Sequence, residues 1–274
     1  MTNAKLFQDR LQAALAATGS LLVIGLDPIM SRLPRGVSRD ASGVLDLNRR
    51  IIDATSDLVV AYKPNFAFYE ALGPVGWEVL AETRAEIPPG LIAIADAKRG
   101  DIGDTAEMYA QAIFDNLGFD AATVSPYLGL DGIQPFLNRK NKGTFVLCRT
   151  SNRTPSLQDL DMAGRPLYEW MAGEAISWGE NIGLVVGATD VQAIKRVREI
   201  APTTPFLVPG IGAQGGGLEE AVAAAVDASG QNALVSASRS VIYASSDNDY
   251  PEAARREAEK LRDAIRRVTE AVTA

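Results

Sequence analysis

Eight short apolar runs, rich in β-branched residues, recur along the chain, each ending in polar residues, Gly or Pro. They are LLVIGLD (21–27), VVAYKPN (59–65), LIAIADAK (91–98), AATVSP (121–126), GTFVLCRTS (143–151), NIGLVVGAT (181–189), TPFLVPGIG (204–212) and ALVSASRS (233–240). Most are near-continuous hydrophobics without polar alternation, the pattern of parallel strands buried on both faces. Helix-like stretches lie between them, among them 44–58, 104–118 and 191–200. Spread over eight units, 274 residues leave about 34 per unit, a normal βα repeat. Eight such units without a linker predict an α/β fold, a single (β/α)8 TIM barrel domain over residues 1–274. An open doubly wound sheet is the alternative, but no G-x-G-x-x-G turn follows the first strand, where a dinucleotide site needs it.

Before the first strand, Phe7, Leu11 and Leu15 recur at steps of four among charged residues. That is an amphipathic N-terminal helix, not a signal peptide. Leu261, Ile265, Val268 and Val272 trace a similar stripe through residues 251–274. No apolar run reaches the roughly 18–20 residues of a membrane span, so a cytoplasmic protein with no membrane partner is expected. With 27 Lys and Arg against 34 Asp and Glu, the net charge is −7. Nucleic acid is then not an expected partner, although a local basic pocket for one phosphorylated metabolite is compatible.

The chain has no histidine, which excludes a Ser-His-Asp triad, a Cys-His pair and any His-ligated metal site. Proton chemistry falls to Asp, Glu, Lys, Tyr or Cys. The single cysteine, Cys148, excludes an intramolecular disulfide and sits in an apolar run, as a buried thiol would. Trp77, Trp170 and Trp178 fall on helical stretches and read as packing residues.

In a barrel of this kind, charge at the C-terminal ends of strands points to the active site. The first strand ends in Asp27, the second in Lys63, and the third in Asp96 and Lys98, with Asp101 just beyond. Asp96 and Lys98 are two apart and project to one side of a strand. A structural ion-pair network is one reading, with Asp101 or Asp104 capping the next helix. A functional site is the other, since several charges desolvated together are costly and are retained where they work. Carboxylates around Lys98 favour its charged form, which suits a proton donor and not a Schiff-base nucleophile.

PGIGAQGGG (209–217) after the seventh strand and ASRS (237–240) after the eighth form a second group. Loops after strands seven and eight make the recurrent barrel phosphate site, and Arg239 offers a charge-assisted contact. A flexible turn with a solvated Arg239 is the plainer alternative. Arg149, Thr150, Ser151 and Asn152 after the fifth strand either bond a base or carbonyl, or only start a long connection. The connections 28–43 and 152–164 are long for βα loops; each is a lid or a surface insertion.

DAKRGDIGDTA (96–106) resembles the D-x-K-x-x-D signature of the orotidine 5'-phosphate decarboxylases, in the form of the longer bacterial (type 2) subfamily. GLDP (25–28), AYKPN (61–65), CRTSN (148–152), PGIGAQGG (209–216) and ASRSV (237–241) match further segments in the right order. The resemblance implies decarboxylation of orotidine 5'-monophosphate (OMP) to UMP in pyrimidine synthesis, without metal or organic cofactor. It places Asp27 and Lys63 on the ribose hydroxyls. It makes Lys63, Asp96 and Lys98 a charged array, completed by Asp101 of a partner subunit in a homodimer with shared sites. Lys98 would be the proton donor. Ile102 and Thr105 would enter the same site from the partner. Ser151 would bind the pyrimidine, Gln214 and Arg239 would hold the phosphate, and Pro209, Gly215 and Ser238 would be further substrate-binding residues.

Two rivals share parts of the pattern. A metal-dependent sugar-phosphate decarboxylase or hexulose-phosphate synthase has D-x-K-x-x-D, but Lys63 would repel its metal. A non-catalytic phosphate-ligand sensor would have a broken array, whereas all four positions are filled.

Overall fold

The computed structural model describes residues 5–152, 157–211 and 217–274. Eight parallel strands close into a barrel: β1 (Leu22–Leu26), β2 (Ala61–Pro64), β3 (Ile92–Arg99), β4 (Ala121–Val124), β5 (Gly143–Arg149), β6 (Ile182–Val186), β7 (Phe206–Pro209) and β8 (Ala233–Ala237). Each pairs with its sequence neighbours, and β8 closes on β1 through Ile24 opposite Ala237. Every residue of β1, β2, β4, β6 and β8 is buried, which is why the sequence shows no alternation there.

Helices cover the barrel. Helix Ala41–Thr55 starts inside the connection expected to be a long loop: Asp40 caps it by accepting the Gly43 N–H, and a 3-10 turn occupies Met30–Arg32. The stretch 104–118 is a helix over Gly103–Ala110 that continues as a π-helical turn, Gln111–Asn116. Helix Tyr250–Thr273 buries Leu261 and Ile265 but leaves Val272 exposed, because its last turns run past the core it packs on. Trp77 is less than half exposed, with its ring edge-on to Phe66, and Trp178 lies just past helix Leu167–Ile176.

The N-terminal helix Phe7–Thr18 lies against the N-terminal end of the barrel. Phe7 lies so close to Gly143, at the start of β5, that a Cβ there would sit 2.4 Å from its ring. Arg10 pairs with Asp120, which also accepts the Ala93 N–H at 2.9 Å. The opposite end, where the strands stop, is therefore left for chemistry.

Candidate active site

At the mouth of the barrel one carboxylate serves two ammoniums. Lys63 Nζ donates to Asp96 Oδ2 at 2.6 Å, and Lys98 Nζ donates to Asp96 Oδ1. The charges meet because β2 and β3 are neighbours and both stop here. Burial would raise the pKa of Asp96, but Lys63 and Lys98 outweigh it and hold it at about 2. Burial likewise opposes the charge on Lys63, yet Asp96 and Asp27 together raise its pKa above the ordinary value. Lys63 and Asp96 are buried, whereas the Lys98 side chain is nearly half exposed and can meet a ligand.

The local backbone departs from a plain strand. Ala95 pairs with Ala122 and Arg99 with Val124, so β3 takes four steps where β4 takes two. The excess bulges at Asp96–Lys98, and Lys98 has φ +50°, a left-handed conformation. For a non-glycine residue that costs roughly 1–2 kcal/mol. Such strain is found where a side chain must be re-aimed.

Asp27 follows β1 beside this group. Its Oδ1 is buried and has no hydrogen-bond partner, an acceptor suited to a ligand hydroxyl. Ser238 Oγ packs over Gly25, where a Cβ would come within 1.8 Å of it; only glycine fits between β1 and the turn after β8. Arg239 opens the short helix Arg239–Ile242 and is exposed, with no ion pair among the described residues. Pro209 ends β7. Gln214 and Gly215 lie outside the described residues. Ser151 sits between the ends of β6 and β7, its backbone against Gly187 and its Cβ facing Gly210.

Asp101, Ile102 and Thr105 are not brought into the chain's own array. Asp101 Oδ1 accepts the N–H of Ile102, and Asp101 forms no ion pair with Lys63 or Lys98. It does not cap helix Gly103–Ala110, which has no side-chain cap. Ile102 is 63% exposed and Thr105 is exposed too. Among the described residues, no three side chains of metal-ligating type converge.

The sequence profile of the orotidine 5'-phosphate decarboxylase / HUMPS family matches residues 20–256. The chain belongs to this family. The orotidine 5'-phosphate decarboxylase of Thermomicrobium roseum is 49% identical over 272 residues, covering 97% of each chain. The structure of Leishmania donovani OMP decarboxylase superposes with a TM-score of 0.83 at 41% identity, over 96% of this chain and 99% of that one. The structure of Leishmania donovani UMP synthase gives 0.85 at 43% identity, over 95% of this chain and 56% of that longer one.

Two residues bonded to the array and to the Asp27 turn, Thr123 and Tyr69, carry no sequence signal. Thr123, inside the apolar run of β4, accepts the Lys98 N–H at 3.0 Å and donates to Asp96 Oδ1 at 3.1 Å. Tyr69 donates to the Leu26 carbonyl beside Asp27 and is itself bonded by Asn48. Arg149 is committed to Asp159 and Asp190, and Gln158 accepts the Thr150 N–H, so the connection after β5 is pinned to the strand end by polar contacts. That connection forms a short hairpin, Asp161–Met162 with Arg165–Pro166. Cys148 is the buried thiol expected, donating to the Tyr168 carbonyl, with burial pushing its pKa to about 12.

Proposed function

We propose that the chain decarboxylates orotidine 5'-monophosphate to UMP and CO2, with Lys98 as proton donor and without metal or organic cofactor. The observation that carries this reading is the buried Asp96 carboxylate shared by Lys63 and Lys98 at the barrel mouth. Loss of CO2 from C6 leaves an electron pair in the plane of the pyrimidine ring, where no conjugation reaches it. An ammonium already held in place stabilises that charge without reorganising, then transfers its proton to C6. Asp96 and Lys63 keep the Lys98 side chain aimed.

The other contacts follow the shape of the nucleotide. Asp27, with its free buried oxygen, and Lys63 take the ribose hydroxyls. Ser151 takes the pyrimidine, and Arg239 with Ser238, Pro209, Gln214 and Gly215 takes the phosphate. The phosphate lies far from the breaking bond, so its binding energy is available to order the site. Asp101, Ile102 and Thr105 act in the site of a partner subunit, in a homodimer of barrel domains. The exposure of Ile102, with Tyr127 84% and Leu128 50% exposed, supplies an apolar face for that contact. The working compartment is the cytoplasm.

The test is the absorbance of orotidine 5'-monophosphate mixed with EDTA-treated protein. Decay with formation of UMP is expected; a stable spectrum with both untreated and EDTA-treated protein would refute the reaction, and decay only before EDTA treatment would refute its independence of metal.

A further inference from the structure

The β4 strand lends the site one hydroxyl that the nucleotide contacts above do not use. Thr123 is buried, and its Oγ1 is a two-way connector. It accepts the backbone N–H of Lys98 and donates its own proton to Asp96 Oδ1, the same oxygen that receives Lys98 Nζ. Both ends of Lys98 are thus referred to one point: the backbone through Thr123, and the ammonium through Asp96.

The need for such a connector lies in the register. Where β3 bulges against β4, the regular ladder cannot bond the Lys98 N–H, and Lys98 is left in a left-handed conformation that lysine rarely adopts. A side-chain acceptor from the neighbouring strand satisfies the donor and fixes the bulge. A short hydroxyl side chain suits this spot, since one oxygen can accept from an amide and donate to a carboxylate together. Valine has the same shape and neither capacity.

We propose that Thr123 is a positioning residue for the proton transfer, holding the strained Lys98 backbone and the Asp96 oxygen in one fixed relation. The inference rests on the assignment of Lys98 as proton donor. Thr123 is buried and bonded to the Lys98 backbone and to Asp96; it acts by setting where the Lys98 ammonium stands. Placement errors of about 1 Å cost on the order of a hundredfold in rate, which sets the scale of the effect.

Steady-state kinetics on wild type, Thr123→Val, Thr123→Ser and Thr123→Cys decide the matter, with thermal unfolding recorded for each. Thr123→Val should lower kcat by about tenfold to a hundredfold and change KM by less than about threefold. Thr123→Ser keeps the hydroxyl and loses the methyl group, so it should return kcat to within about threefold of wild type despite weaker packing. Thr123→Cys matches serine in size with a far weaker hydrogen-bonding group. It should follow valine, which keeps the test open if Thr123→Val folds poorly. A kcat within twofold of wild type in both Val and Cys variants would overturn the proposal, as would losses that track thermal stability without rescue by serine. Wild-type protein that does not consume orotidine 5'-monophosphate would overturn the reaction itself; normal wild-type turnover with an unaffected Thr123→Val would overturn only the role of Thr123.

Discussion

The phenolic oxygen of Tyr243 accepts the backbone N–H of Ile29 at 2.5 Å, joining the turn after Asp27 to the helix that begins at Arg239. The Tyr243 N–H in turn reaches the Arg239 carbonyl, and Arg32 stacks on the Tyr243 ring 4.2 Å from its centre. On the other side of Asp27, the Tyr69 hydroxyl holds the Leu26 carbonyl. Two tyrosines therefore clamp the turn that carries the unpartnered Asp27 oxygen.

Removing one of those hydroxyls should weaken ligand binding more than chemistry. A neutral hydrogen bond contributes about 0.5–1.5 kcal/mol, so Tyr243→Phe is expected to raise KM by roughly twofold to tenfold. The kcat should stay close to wild type, since the clamp lies away from Lys98. Unchanged KM for orotidine 5'-monophosphate would show that the Asp27 turn holds itself.

Lys98→Ala should abolish decarboxylation while leaving UMP binding detectable by calorimetry. The loss should be at or above the roughly 3–4 kcal/mol typical of one transition-state donor, because both electrostatic stabilisation and the proton disappear. A variant within tenfold of wild type would remove Lys98 from the role of proton donor.

Subunit mixing tests the shared site. Inactive Lys98→Ala and inactive Asp101→Ala proteins are combined in equal amounts and allowed to exchange. Half of the dimers become hybrids, each with one site carrying both lesions and one carrying neither, so activity should recover to about one quarter of wild type. If Asp101 served its own barrel, every site would keep one lesion and mixing would restore nothing.

Acid stability reports on Asp96. Its pKa is depressed from 3.8 to about 2 in the folded chain, burial being overcome by Lys63 and Lys98. A depressed carboxylate contributes stability that is fully present above its unfolded pKa and is lost as pH falls through the folded one. The shift corresponds to about 2 kcal/mol, disappearing between about pH 4 and pH 2. Urea midpoints measured across that window should fall more steeply for wild type than for Asp96→Asn. Parallel curves would mean that the ion pairs do not hold Asp96 down.

Much of the site was legible because charge in an apolar strand is conspicuous. Lys63, Asp96 and Lys98 stand out in runs such as LIAIADAK, and the structure brings these three together. Thr123 was not legible, since a threonine in a β-strand is unremarkable until its neighbour strand is known. Tyr69 and Tyr243 were hidden for the same reason: each lies in a helical region far along the chain from the turn it holds. Asp101 could be placed after β3 but not oriented, because its side chain turns to its own Ile102 N–H.

The sequence by itself determined the number, order and burial of the barrel strands, and with them the end of the barrel at which Asp27, Lys63, Asp96 and Lys98 collect. Those properties depend on periodicity and on residue type at a strand's end, which are local. Only the tertiary structure decided which groups meet. The two-step mismatch between β3 and β4 bends Lys98 into its left-handed conformation and sets Thr123 beneath it. Closure of β8 on β1 brings Tyr243 to Ile29 across 214 residues of chain. Register and closure are relations between segments, and hydrogen-bond geometry at a scale of 3 Å is set by such relations, not by either segment alone.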